Sequence, residues 1–293
     1  MKSYSWPQGH RCVAFLSVHF DAESFDLKMA GGNSLFGRYS YGRYGVRAGF
    51  PRLLDMLDRL AIPATFFVPA SDARRHPALV RTLVERGHEL AARGVDLEEF
   101  DTLGDKEQSI LQQARDILAD IAGSPPVGFR APRGALSPRS LEYLADLGFI
   151  YDSSFQDGDH PYLMETAAGS SIVEIPTSAA LEDAPAYSAR HTHARVLKIW
   201  REEFLANYKE GVMVPLVTHL RGDIGSTRAV RIAALEKLLQ EMQSHPDLAF
   251  MTGRQLAEHA RGLGLDVEPP PIAAHLATLK ATPYRGDLSV KPI

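Results

Sequence analysis

A chain of 293 residues with 45% hydrophobic and 23% charged side chains has ample material for a large core and none of the compositional bias of a disordered, collagenous or coiled-coil protein. A net charge of -4 excludes the concentrated basic face that nucleic acid or an anionic membrane would require, so the expected partner is a small molecule. A single cysteine, a start without an apolar signal core and the absence of any apolar run near ~20 residues point to a cytoplasmic protein without internal disulfides or membrane spans.

The first clear element is Cys12-Val-Ala-Phe-Leu-Ser-Val-His19, an almost unbroken apolar run that ends in ionisable side chains. It reads as a parallel strand covered on both faces, with chemistry delivered at its carboxyl end. If the extended conformation continues, period-2 geometry puts His19, Asp21 and Glu23 on one side. The Gly- and Tyr-rich stretch from Met29 to Gly49 reads as a long loop, and long loops in compact domains are usually binding elements. Phe50, Leu53, Leu54, Leu57 and Ala61 fall at helical spacing, and Ile62 to Val68 is the next strand.

A helix from about His76 to Arg86 then leads into a short strand, Glu89 to Arg93. Ile110, Ala114, Ile117, Leu118 and Ile121 mark a helix stopped by Gly123-Ser-Pro-Pro126. Val127 to Arg130 is a short strand opening into Ala-Pro-Arg-Gly134, and a helix with Pro138 in its first turn runs to Leu147. Phe149 to Ser154 is another apolar-to-polar strand end. Gln156 to Pro185 reads as a loop with an inserted hairpin, and Val196, Ile199, Trp200 and Phe204 define a long helix. Val212 to His219 is a buried strand ending in histidine; Ile232, Leu235, Leu239 and Met242 mark the last major helix. Alternating strand and helix predict βα units around a parallel sheet or barrel, in one domain over residues 1–264, followed by an extended arm over 265–293.

The strand ends collect His19, Asp21 and Glu23, then Arg93, then Arg130-Ala-Pro-Arg-Gly134, then Asp152-Ser-Ser154, then Leu216-Val-Thr-His219. In that order these resemble the five motifs of the polysaccharide deacetylase (NodB-homology) family over roughly residues 8 to 260. Tyr44-Gly-Val-Arg47-Ala-Gly49 with Ile62-Pro-Ala-Thr-Phe-Phe-Val68 is similar to its cytoplasmic branch of allantoinases and cyclic imide hydrolases, which implies a substrate-binding role for Tyr44 and Arg47. The resemblance implies an α/β fold, a distorted (β/α)7-type barrel, and a homotetramer.

The resemblance also implies a metal bound by one aspartate and two histidines, yet those positions hold Ala22, Arg93 and Leu97. We therefore expect no metal. Arg93 would replace the metal's charge and, with the backbone N–H of Arg133, hold the oxyanion. Asp21, paired with Arg130, would activate water, and His219 would protonate the leaving nitrogen. Asp152 and Ser153 would support the substrate site. Weaker electrophilic help suits a cyclic imide or an allantoin-like ureide, whose nitrogen lone pair is shared with a second carbonyl, better than an acetamide. The alternatives are an N-deacetylase, a metallohydrolase with zinc relocated to His19, Asp21 and Glu23 with His219 recruited, and an inactive carbohydrate-binding barrel.

Overall fold

The computed structural model describes residues 4–31, 35–37, 39–166 and 168–269. Strand β1 (Cys12–His19) is paired along both edges. One edge pairs in parallel with β8 (Val214–His219); the other pairs with β2 (Thr65–Val68) near its carboxyl end and with β9 (Leu248–Phe250) near its amino end. Neighbours on both edges and side chains on both faces explain why every residue from Cys12 to Val18 is fully shielded. Cys12, Ala14, Leu16 and Val18 pack under the helices, while Val13 and Phe15 meet Phe67, Ala91, Tyr151 and Val173 in a second, inner core. Ser17 and His19 follow Phe15 on that inner side by the two-residue repeat.

The sheet continues from β2 through β3 (Glu89–Ala92), β4 (Gly128–Phe129) and β5 (Tyr151–Asp152) to the hairpin β7 (Ser171–Glu174) and β6 (Tyr162–Glu165). Its last strand is β10 (Val267–Glu268), which pairs with β6. All pairings are parallel except the β6–β7 hairpin. A single bridge, Glu182 to Val217, lays the chain that follows β7 on the outer edge of β8. Parallel neighbours need crossovers, and helices α3 (Phe50–Leu60), α5 (Pro77–Glu85), α6 (Glu107–Ala122), α7 (Ser140–Asp146), α9 (His193–Glu210) and α10 (Ala229–Gln243) supply them. A capping box of Thr252 and Gln255 starts α11 (Gly253–Gly262). Among the described residues, no helix is long and apolar enough to cross a membrane.

Two places differ from the sequence expectation. The extended backbone does not continue past β1: Ala22 adopts φ -78°, ψ -119°, and the chain turns into helix α1 (Glu23–Met29). Helix also begins earlier than expected, because α2 (Tyr41–Tyr44) and a π-turn over Gly45–Gly49 run directly into α3. The end of the expected arm, residues 270–293, lies outside the described residues, as do 32–34 and Arg38 of the expected loop.

The turn after β1 is fixed by Asp72 in α4 (Ala70–Arg75), a fully buried carboxylate. It accepts the N–H groups of Ala22 (2.8 Å) and Ser24 (2.9 Å) and pairs with Arg75 at 2.9 Å. Two otherwise orphaned donors at the start of α1 are thereby satisfied, in the way a capping side chain does it. Asp72→Ala should cost about 1–3 kcal/mol and lower the melting temperature in calorimetry, since it leaves buried N–H groups unpaired. An unchanged melting temperature would show that water replaces the cap without loss.

Candidate active site

At the carboxyl ends of β1, β3, β4 and β8 a cavity of about 590 Å³ opens, with His19, Asp21, Arg93, Arg130, Ser153 and His219 in its wall. Its size suits a small molecule. The register that places His19 opposite His219 brings their rings together, His19 Nδ1 lying 2.8 Å from His219 Nε2. On its far side His219 Nδ1 meets Asp183 Oδ1 at 2.7 Å. Asp183 heads the short helix α8 (Asp183–Ser188), is fully buried, and also accepts from Thr218 Oγ1, Ser226 Oγ and the His219 N–H. Arg93 reaches across from the end of β3 to Asp21, with Nε at 2.9 Å from one carboxylate oxygen and Nη2 at 3.4 Å from the other.

Arg130 does not pair with Asp21, contrary to the expectation. Its Nη1 lies 3.1 Å from His19 Nε2 and 2.8 Å from Ser17 Oγ; the rest of the fork donates to the carbonyl and hydroxyl of Ser153. Asp21 is left to Arg93, which is nearer. His19 Nε2 thus faces two guanidiniums, since Arg93 Nη1 is also 3.4 Å away. Guanidinium nitrogens only donate, so this ring nitrogen must accept, and the proton of neutral His19 belongs on Nδ1, donated to His219 Nε2. Burial together with Arg93, His219 and Arg130 holds the His19 pKa well below its ordinary value. Burial also opposes charge on His219, but the carboxylates of Asp183, Asp21 and Glu182 outweigh it and raise its pKa. Those carboxylates favour the protonated form, in which His219 can act as an acid.

The other expected site residues divide. Ser153 lines the cavity and holds Arg130. Arg133 lines it with a largely exposed side chain that pairs with Glu99 at 3.0 Å, and its φ of 58° belongs to a tight turn. In that turn Gly134 and Ala135 donate their N–H groups to Ala131 and Pro132. Asp152 is buried behind the wall, where both oxygens hold Ser154. Ser154 Oγ in turn accepts the Ala131 N–H, so Asp152 positions the turn and touches no cavity. Glu23 is not on the face of His19 and Asp21; as the first residue of α1 it bonds His76 at 2.6 Å. Tyr44 and Arg47 do not enter the cavity wall, because the stretch is helical: Tyr44 bonds Arg52 and Thr227 under the Arg228 guanidinium, and Arg47 is exposed. Asp183 and Glu182 were not anticipated. The only local signal was an acidic pair ahead of Pro185, the start of a helix.

The metal that the family resemblance implies does not fit. Ala22 and Leu97 are buried and offer no ligand atom, and Arg93 brings a guanidinium instead. Donor atoms of His19, Asp21 and His219 do lie within 4.8 Å of one another, which is the relocated set without Glu23. However, the two imidazole nitrogens are 2.8 Å apart, closer than the roughly 3.3 Å that two ligands on tetrahedral zinc require, and share a proton. Asp21 is neutralised by Arg93 and His19 is flanked by two fixed cations. A divalent ion there would meet both at short range.

Comparison with known proteins agrees with this architecture. The polysaccharide deacetylase family model matches residues 39–151. A crystal structure from Mycobacterium smegmatis, described as a polysaccharide deacetylase, is 35% identical with a TM-score of 0.82, covering 90% of this chain and 95% of that one. A peptidoglycan deacetylase-like protein of Gibberella zeae is 28% identical over 241 residues, 80% of this chain and 69% of its own. The Puue allantoinase structure has a TM-score of 0.79 at 23% identity over 88% of this chain and 93% of that one, a likeness of fold. The sheet and its helices are those of the NodB-like deacetylase α/β barrel, and the chain belongs to the polysaccharide deacetylase family of hydrolases.

Proposed function

We propose that the protein hydrolyses an amide C–N bond in a small molecule bound in this cavity, with N-deacetylation of an N-acetylated sugar or related amide as the leading reaction. The observation that carries it is the meeting of Asp21 with the His219–Asp183 pair on one cavity floor. A spacing within 4.8 Å leaves room for one water molecule in hydrogen-bond reach of Asp21 and His219. Asp21 takes a proton from that water as it attacks the carbonyl carbon. Arg93 has five N–H groups and spends three, on Asp21 and His19, so two remain for the developing oxyanion, beside the N–H of Arg133. His219, oriented by Asp183, then gives a proton to the nitrogen as the C–N bond breaks, releasing carboxylic acid and amine.

The names of the relatives favour deacetylation over the cyclic amide expected from sequence, since those quoted at 28% and 35% identity are described as a peptidoglycan deacetylase-like protein and a polysaccharide deacetylase. Cyclic imides and ureides stand as the second reading. They are favoured by Ala22, Arg93 and Leu97, which leave a guanidinium as electrophile where a metal would give several kcal/mol more stabilisation. A panel of N-acetyl sugars, cyclic imides and ureides separates the two by which class turns over, and no turnover on any of them would sink both.

Two substitutions test the roles. Asp21→Asn should lower kcat by a factor of order 10²–10⁴ with a smaller change in KM, as loss of a general base does. A variant that keeps more than about a tenth of the rate, against that 10²–10⁴, would remove Asp21 from the base role. Asp183→Asn tests the acid. Because His219 must be protonated to act, the rate falls as pH rises through its raised pKa; removing Asp183 lowers that pKa and should move the falling limb to lower pH. A limb that stays in place, with folding checked by circular dichroism, would mean that His219 is not the acid.

A further inference from the structure

Arg130 is a buried cation without a counter-ion. It is 4% exposed, lies 4.1 Å over the Phe67 ring, and donates only to neutral acceptors on Ser17, His19 and Ser153. No carboxylate of the described residues comes within 4.0 Å of it. The other two deeply buried arginines are paired, Arg93 with Asp21 at 2.9 Å and Arg221 with Asp26 at 2.7 Å and Asp223 at 2.9 Å. Burial and the nearby Arg93 push the Arg130 pKa down to about 10, so the charge persists at neutral pH. An uncompensated buried charge is strongly unfavourable, and in a cleft it marks a place where a ligand completes the pair.

The cavity as a whole repeats this imbalance. Lys28, Arg93 and Arg130 line it against Asp21 and Glu182, with Arg133 also in the wall but paired outward with Glu99, in a chain whose net charge is -4. Asp21 is already spent on Arg93, and Glu182 lies 3.8 Å from His219 Nε2. Arg130 spends four of its five N–H groups, which leaves one on Nη2 at the cavity wall.

We propose that the substrate carries a carboxylate that pairs with Arg130, so that the cavity selects an acid-bearing N-acyl compound over its neutral analogue. This rests on the amide-hydrolase reading for the word substrate, while the anion site itself stands on Arg130 and the cavity charge. Arg130 anchors the carboxylate and leaves the free N–H groups of Arg93 to the reacting carbonyl. The charge-assisted bond that results is of the kind that adds both affinity and orientation.

Calorimetric titration with matched pairs, N-acetylglycine against N-acetylglycinamide and succinamate against succinamide, tests the anion site separately from turnover once any heat of hydrolysis is subtracted. The acids should bind the parent at least ~10-fold tighter than the amides, and added salt should narrow the gap. In Arg130→Met the preference should vanish. That variant should also melt no lower than the parent, because removal of an unpaired buried charge by an apolar residue of similar bulk is tolerated. Equal binding of acid and amide, no binding of either acid in the millimolar range, or a preference that survives in Arg130→Met would overturn the proposal. Should Arg130→Met fail to fold, Arg130→Lys keeps the charge and should retain part of the preference; its complete loss there would count equally against the assignment. Failure of every substrate to turn over, with the acid preference intact, would sink the hydrolase reading and leave the anion site standing.

Discussion

The ion pair between Arg93 and Asp21 sets the character of the whole site. A guanidinium is a permanent charge on a tether, and here it lies on the strand-end carboxylate with its remaining nitrogen turned toward His19. With Arg130 on the same ring nitrogen, His19 has to carry its proton on Nδ1 and present it to His219. His219 then leans on Asp183, and the chain of contacts fixes which groups exchange protons. The same pair uses up the negative charge near Arg130 and leaves that residue without a counter-ion.

Much of this architecture is legible in the sequence. The apolar run of β1 can only be a strand buried on both faces, and its two-residue repeat correctly puts Asp21 near His19 at the cavity wall. His219 in register with His19 follows from a second buried strand that ends in histidine. Glu23 shows where the repeat stops being informative, since one turn at Ala22, held by Asp72 from another helix, sends the next side chain elsewhere. Asp183 could not be found from pattern at all. It meets a histidine 36 residues away, and several acidic residues in the same stretch have equal local claim. Which arginine sits on Asp21 is likewise decided by how the strand ends are placed in the fold, and spacing along the chain carries no such detail. The Tyr41–Gly49 helix was hidden by its glycines, which read as loop; Gly42 and Gly49 are there because a Cβ would strike the Ala22 carbonyl in one case and Thr227 and the Leu220 carbonyl in the other.

Membership of the deacetylase family and the make-up of the site pull on the substrate from two sides. The relatives are named for deacetylation, while Ala22, Arg93 and Leu97 remove the ligands on which the family resemblance places a metal. A single delocalised charge polarises a carbonyl less than a divalent ion does, so catalysis has to lean on positioning. The buried scaffold around the cavity is suited to that: Asp152 and Ser154 fix the Ala131–Gly134 turn, and four hydrogen bonds hold Asp183 behind His219.

The account turns on the claim that fixed guanidiniums, and not an exchangeable ion, supply the positive charge on the cavity floor. Calorimetric zinc titration of chelator-treated protein, run on the parent and on Asp21→Ala, tests it most directly. The account predicts that the two isotherms coincide, with any uptake belonging to histidines elsewhere on the surface. One equivalent bound by the parent and absent from Asp21→Ala would contradict it, and would place a metal among His19, Asp21 and His219.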